Sequence, residues 1–151
     1  MDRVAVDRNG LVILDRSQCV ELLRTALVGR IALSVGALPV VLPVHFAMLD
    51  GDVLIRTVAG SRLEAAASNA VVAFEADHVD PLDRAGWSVL VQGVASEITD
   101  PDEIERARRV PLEPWLGADG RYLRIASRLM SGRQLPGGAD AADRARQPEG
   151  Q

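Results

Sequence analysis

The sequence has no lysine; all 17 of its basic residues are arginine. Chemistry that depends on a lysine amine, a Schiff base above all, is therefore excluded. The single cysteine, Cys19, cannot form an intramolecular disulfide, and no thiolate cluster exists to bind zinc or iron–sulfur. Aromatic residues make up only 3% of the chain, so the core has to be built from Val, Leu, Ile and Ala. No apolar run approaches the ~18 residues of a membrane helix. The opening MDRVAVDRNG carries charges where a secretory leader needs an apolar segment. With a formal net charge of -4 and no basic stripe, the chain is not expected to bind nucleic acid or an anionic membrane. Any anion site has to be local. These absences predict a soluble, cytoplasmic protein.

What is present is strongly patterned. The 151 residues, 48% of them hydrophobic, suit one domain with one core. After Asp15-Arg16-Ser17, apolar Cys19, Val20, Leu22, Leu23, Ala26 and Leu27 recur at helical spacing, with Asp15 or Ser17 as N-cap and Gly29 as the stop. From Arg30, RIALSV reads as a strand and Gly36-Ala37-Leu38-Pro39 as a turn. In PVVLPVHFAM, residues Val40, Leu42, Val44, Phe46 and Met48 share one face, and Val41, Pro43, His45 and Ala47 the other. Pro43 places this strand at an edge or bulge. Asp50-Gly51 marks a hairpin that returns through DVLIRT.

A short helix is expected over 61–69, then the strand AVVAFEADHV and a polar loop over 80–86. GWSVLVQGVASEIT is a long strand, apolar on both faces in its first half, which implies barrel closure, a partner subunit, or both. Asp100-Pro101 opens a charged helix, and RYLRIASRLMSGRQL reads as one last strand. About six strands and three short helices, joined by tight connections, predict a mainly β fold built on an antiparallel barrel. Residues 1–135 form the domain, and 136–151, with no large apolar residue, a disordered tail.

The stretch LIRTVAGSRLEAA, at 54–66, places Arg56, Thr57, Ser61 and Arg62 at a strand-to-helix turn. Two readings stand. In one, Ser61 caps the helix and Arg62 lies in solvent. In the other, Gly60 lets the backbone approach a ligand, and Arg62, Ser61 and Thr57 cradle a single phosphate, joined by Arg56 if it points inward.

The order of motifs, GRIAL, then G-x-x-P-x-x-x-P-V-H-F, DGDVLIRT-x-x-GSRL and GWSVLVQG-x-A, resembles the pyridoxamine 5′-phosphate oxidase-like family, in its actinobacterial-type branch. The resemblance runs over about residues 12 to 135. It implies an FMN-binding split β-barrel, a homodimer with two flavin sites at the interface, and an oxidoreductase acting on a small organic substrate. Deazaflavin and haem are the alternative cofactors, and a non-catalytic binding or carrier dimer the alternative function. By the same resemblance Arg56, Thr57, Ser61 and Arg62 contact the phosphate and ribityl end, Val44, His45 and Phe46 run beside the ring, and Trp87 reaches the flavin. The family's lysine after the serine-arginine pair is here Leu63, and its substrate-gripping C-terminal segment is not matched. Pyridoxamine phosphate is therefore not the expected substrate.

Other groups point to ordinary structure. Trp115, after two prolines, anchors a loop. Glu75, Asp77, His78, Asp80 and Asp83 form an acidic cluster whose spacing matches no cation loop, so no metal is expected. ERARR at 105–109 is an exposed helix face with Glu–Arg pairs. No catalytic triad or carboxylate pair stands out, and no catalytic residue is assigned.

Overall fold

A computed structural model of the protein describes residues 4–112 and 120–137. Trp115 and, of the tail expected at 136–151, residues 138–151 lie outside these residues. The elements run β1 (Val12–Leu14), α1 (Arg16–Thr25), β2 (Val28–Val35), β3 (Leu38–Leu49), β4 (Asp52–Val58), α2 (Arg62–Ala67), β5 (Ala70–Val79), β6 (Gly86–Glu97), α3 (Pro101–Arg108), β7 (Gly120–Ile125) and β8 (Leu129–Leu135). No helix among the described residues is long and apolar enough to cross a membrane.

The strand order is β1-β8-β6-β5-β2-β3-β4-β7, with β6 also pairing β7. That extra pairing closes β6-β5-β2-β3-β4-β7 into a six-stranded antiparallel barrel, and β8 and β1 extend it from β6. Inward side chains supply a dry core. Ile31, Val53, Ile55, Phe74, Val89, Val91, Leu123 and Ile125 are wholly buried. Phe46 and Phe74 meet edge to face at 4.7 Å between ring centroids. Val44 and Phe46 alternate with Val41, Pro43 and His45 as the period-two pattern predicts, the first pair buried and the others more open.

The turns follow their residues. Asp50 and Gly51 take φ of 52° and 80°, the left-handed pair that a two-residue hairpin of matching twist requires. Asp15 caps α1 in a reciprocal box: its Oδ1 accepts from the Gln18 N–H at 2.8 Å, and Gln18 Oε1 accepts from the Asp15 N–H at 2.9 Å. Asp100 caps α3 by accepting from the Glu103 N–H at 3.1 Å. Intrahelical Arg106–Glu103 and Arg108–Glu105 pairs line its exposed side.

Two sequence expectations are corrected. Gly29 does not end α1; Ala26 does, and Gly29 lies in β2 opposite Val44. A Cβ at Gly29 would come within 2.2 Å of the Phe74 ring, so glycine is there for packing. The last strand is two. The chain breaks pairing at Ala126–Arg128, where the Ser127 N–H donates to Asp52 Oδ1 at 2.9 Å and the Arg16 guanidinium donates to the Ser127 carbonyl at 2.9 Å. Strand β1 adds to the expected strands; its three residues are too few to show a period in the sequence.

Helix α1 covers one end of the barrel with Cys19 and Leu23, both wholly buried, and α2 packs Leu63, Ala66 and Ala67 at the other. Burial pushes the Cys19 thiol up from its ordinary pKa. Its Sγ lies 2.5 Å from where a Cβ on Gly132 would stand. Helix α3 makes a second, smaller core outside the barrel with Leu54, Ile98 and Ala107, tied down by Arg124, which meets Glu103 at 3.0 Å and Asp52 at 3.6 Å.

Gly93 is where β6 exchanges β8 for β7, and a Cβ there would sit 1.7 Å from the Ala126 carbonyl oxygen. Backbone cannot yield as a side chain can, so Gly93→Ala is expected to cost about 3 kcal/mol of unfolding free energy. Urea denaturation checks this, and an unchanged midpoint would mean that the close approach is not a constraint.

Candidate functional site

Strands β3 and β4 pair only between residues 46–49 and 52–55. Beyond that they part. Residues 38–45 keep β2 as their sole neighbour, and 56–58 keep β7. Pro43, with no N–H to give, sits in the unpaired part, where the missing donor is tolerated. The barrel is therefore split on this side, and the turn into α2 lies beside the opening.

That turn is built by three local devices. Gly60 takes φ +75°, with open space where a Cβ would be. The Ser61 N–H donates to the Val58 carbonyl at 3.1 Å. Ser61 is the N-cap of α2, its Oγ accepting from the Glu64 N–H at 3.2 Å. The capping reading is thus present in the structure. It leaves the Ser61 hydroxyl proton available to donate.

Glu64 was not singled out from sequence, although Ser61-x-x-Glu64 is a capping-box spacing. Its carboxylate accepts from the Gly60 N–H at 3.2 Å and from Arg121 at 3.0 Å, and Arg121 also meets Glu97 at 3.6 Å. The Gly60 N–H is therefore engaged within the chain.

Arg62, Thr57 and Arg56 fall into three different places. Arg62 is exposed and makes no hydrogen bond or ion pair among the described residues. It is the one charged side chain lining an apolar cleft of about 270 Å³ formed with Val35, Val40, Leu42 and Leu63. Thr57 faces inward, 4% exposed, and its hydroxyl donates to the Arg121 carbonyl at 3.2 Å, so that proton is spent. Arg56, on the outer face, stacks 5.5 Å above the Tyr122 ring and lines a different cavity, of about 640 Å³, with Arg108, Arg121 and Glu97. Arg56 and Arg62 do not converge. Val44 and Phe46 present only backbone to the opening, because their side chains are in the core, whereas His45 lies outward, opposite Val28.

Trp87 is elsewhere. It pairs with His78 at the far end of β5, eight residues from Ala70, where α2 hands over to the sheet. At ~3.4 Å per residue that is roughly 27 Å. One subunit cannot bring Trp87 and Arg62 to the same small ligand.

The donor set at the opening fits a phosphate ester. Arg62 offers a planar fork of donors with no competing partner among the described residues, and Ser61 a hydroxyl proton. Leu63, packed against the core, supplies no charge.

The comparisons with known proteins agree with this architecture. A family model described as pyridoxamine 5′-phosphate oxidase matches residues 15–134. The chain belongs to that family. A solved FAD binding protein from Mycobacterium smegmatis is 34% identical, with a TM-score of 0.74, covering 82% of this chain and 98% of its own. An uncharacterized protein of Mycobacterium tuberculosis is 39% identical over 111 residues, 70% of this chain and 72% of that protein. An FAD and heme binding protein from Mycobacterium smegmatis, 18% identical with a TM-score of 0.62 over 89% of this chain and 79% of its own, shares the fold.

The acidic cluster of the sequence resolves into two parts. Among the described residues no group of three or more His, Cys, Asp or Glu side chains is placed to hold a metal ion. Glu75 and Asp77, on one face of β5, flank Arg30 of β2 at 3.8 and 3.7 Å. Burial pushes the Glu75 carboxyl up to about 7, a hydrogen bond and charge repulsion from Asp77 add to it, and Arg30 opposes. A carboxyl whose folded pKa lies above its unfolded value stabilises the fold most at low pH, and loses that contribution as pH rises from 4.5 through about 7. Thermal unfolding of Glu75→Gln against the parent between pH 4.5 and 8 should show the parent losing more stability across that window. Parallel curves would place Glu75 at an ordinary pKa.

Proposed function

We propose that the protein binds a flavin by its phosphate at the split between β3 and β4, and uses it as an oxidoreductase of a small organic substrate. The observation that carries this reading is Arg62, a guanidinium with no partner among the described residues and, among them, the one charge of an apolar cleft at the place where the barrel opens. Membership of the family and the likeness to an FAD binding protein support it. Arg62 and Ser61 would hold the phosphate, and the outer face of β3 with His45 would border the rest. A bound flavin supplies hydride or single-electron transfer, while the chain positions it and shields it from water. Thr57 acts indirectly, fixing β7 against β4 through the Arg121 carbonyl. FMN needs only the phosphate contact. FAD, the ligand of the Mycobacterium smegmatis relative, adds a nucleotide half.

The protein is further proposed to work as a homodimer. Outward residues on neighbouring strands line up as Val41, Ala32, Ala73, Gln92 and Leu129 across β3, β2, β5, β6 and β8, with Val71 and Val94 opposite one another beside them. Val71 is 77% exposed, Leu129 63% and Val41 62%. A sheet face this apolar suits a self-complementary contact. It is also the arrangement by which Trp87 of a second copy could reach a flavin that Trp87 of the same copy cannot. Sedimentation should give a dimer that Val71→Asp converts to monomer; a parent that sediments as a monomer would remove this part of the reading.

The cofactor is tested by absorbance titration of purified protein with FMN, FAD, a deazaflavin and haem. Saturation by a flavin at one equivalent per subunit is expected, and no saturable binding of any flavin would overturn the proposal. A Soret band in its place favours the haem carrier. Arg62→Ala should weaken FMN about tenfold to a hundredfold, the value of a charge-assisted hydrogen bond of ~1.5–3 kcal/mol, and leave riboflavin nearly unchanged. Equal loss for both would take Arg62 off the phosphate.

A further inference from the structure

The cleft that holds Arg62 has a narrow charge balance. Besides Arg62 its described lining is Val35, Val40, Leu42 and Leu63. One positive charge therefore stands against an otherwise apolar wall. The charged groups on the elements around it do not add a second. Glu64, two residues further along α2, is a carboxylate whose side chain is only 13% exposed, and it accepts from the Gly60 N–H at 3.2 Å. Arg121 meets that carboxylate at 3.0 Å and is shared with Glu97 at 3.6 Å. Arg56 lies on the outer face of β4, over the Tyr122 ring. His45, on the outer face of β3, is not part of the lining.

A phosphate reaches such a cleft in one of two charge states. A monoester, as at the end of FMN, loses its second proton with a pKa of about 6 and is mostly a dianion above that. A phosphate linked on both sides has no second proton to lose and keeps a single negative charge. One guanidinium matches one such charge through its fork of N–H donors. The extra charge of a monoester would lose its water against Val40, Leu42 and Leu63, beside the Glu64 carboxylate, with no further cation of the described lining to offset it. The Thr57 hydroxyl gives its proton to the Arg121 carbonyl, so the remaining donor is the neutral Ser61 hydroxyl.

We infer that the cleft selects a singly charged phosphate, one linked on both sides as in a dinucleotide flavin, over the dianionic monoester of FMN. The inference rests on the flavin reading and refines it. Arg62 supplies the affinity. Leu63 and Leu42 set the selectivity by bringing no charge to the wall, and Glu64 sharpens it by repulsion. FMN enters best as its monoanion, so above the second pKa of its phosphate it has to take up a proton in order to bind, and its affinity falls as pH rises. A flavin whose phosphate is linked on both sides escapes that loss.

The test titrates the full-length protein with FMN, the monomethyl phosphate ester of FMN, FAD and riboflavin, followed by flavin fluorescence, from about pH 5.5 to about pH 7.5. Affinity for FMN should fall about tenfold or more across that range, as its monoanion is depleted. The methyl ester meets every titrating group of the protein that FMN meets, but has no phosphate proton to lose. Its profile should lack the fall, and so should that of FAD. Leu63→Lys adds an ammonium to the wall from a side chain only partly buried against the core, where the stem can keep the packing. It should abolish the fall and strengthen FMN about tenfold at the upper pH, with riboflavin unchanged. Parallel profiles for FMN and its methyl ester, or an FMN affinity that rises with pH, would overturn the inference and leave the flavin reading standing. The two profiles of the parent decide the point even where Leu63→Lys does not fold. No saturable binding of any of the four ligands would overturn the flavin reading and this inference with it.

Discussion

The barrel depends on one strand changing partners. Along one edge β6 pairs with β5 from Gly86 to Ala95; along the other it pairs with β8 up to Gln92 and with β7 from Ala95. The changeover needs the chain at Ala126–Arg128 to pass against β6, and only a residue without a side chain leaves room. Every backbone group in such a crossing has to find a partner. The Ala126 N–H bonds to the Val94 carbonyl, the Ser127 N–H to Asp52, and the Ser127 carbonyl to Arg16. Closure on this side thereby recruits α1 and the β3–β4 hairpin, elements distant in sequence.

Closing the sheet at β6–β7 leaves its weakness at β3–β4. The two strands are held together near the Asp50-Gly51 turn and separate toward α2, so the opening is a wedge whose hinge is a rigid two-residue hairpin. Its rim is lined by groups spoken for to different degrees. Thr57 and Gly60 are engaged with Arg121 and Glu64, and Arg62 has no partner among the described residues. A ligand arriving there meets one ready cation without having to break an existing ion pair, which lowers the reorganisation that binding would otherwise require.

Much of this was legible because short-range rules dominate where the chain turns. Asp50-Gly51, Asp100-Pro101 and Ser61 before α2 carry their conformations in their own side chains, and strand alternation separated Val44 and Phe46 from His45. What was not legible depended on partners far along the chain. Gly29 looks like a helix stop, because nothing local reveals that Phe74 will lie against it. The run from Arg121 to Leu135 looks continuous, because the break at Ser127 is imposed by Asp52 and Arg16. The four polar residues of the RTVAGSR turn looked like one constellation. Strand alternation sends Arg56 and Thr57 to opposite faces, and the split in the barrel turns Arg62 toward a third place.

Cys19 has a practical consequence. The chain's single thiol is sealed between α1 and β8, with Gly132 shaped to receive its sulfur and its ionisation suppressed by burial. In the native state it offers neither a thiolate nor a path for a reagent. Exposure requires α1 to lift from the barrel end. The chain therefore contains one silent chemical clock: the rate at which a thiol reagent marks it reports how often that end of the molecule opens, with no label introduced and no second thiol to confuse the count.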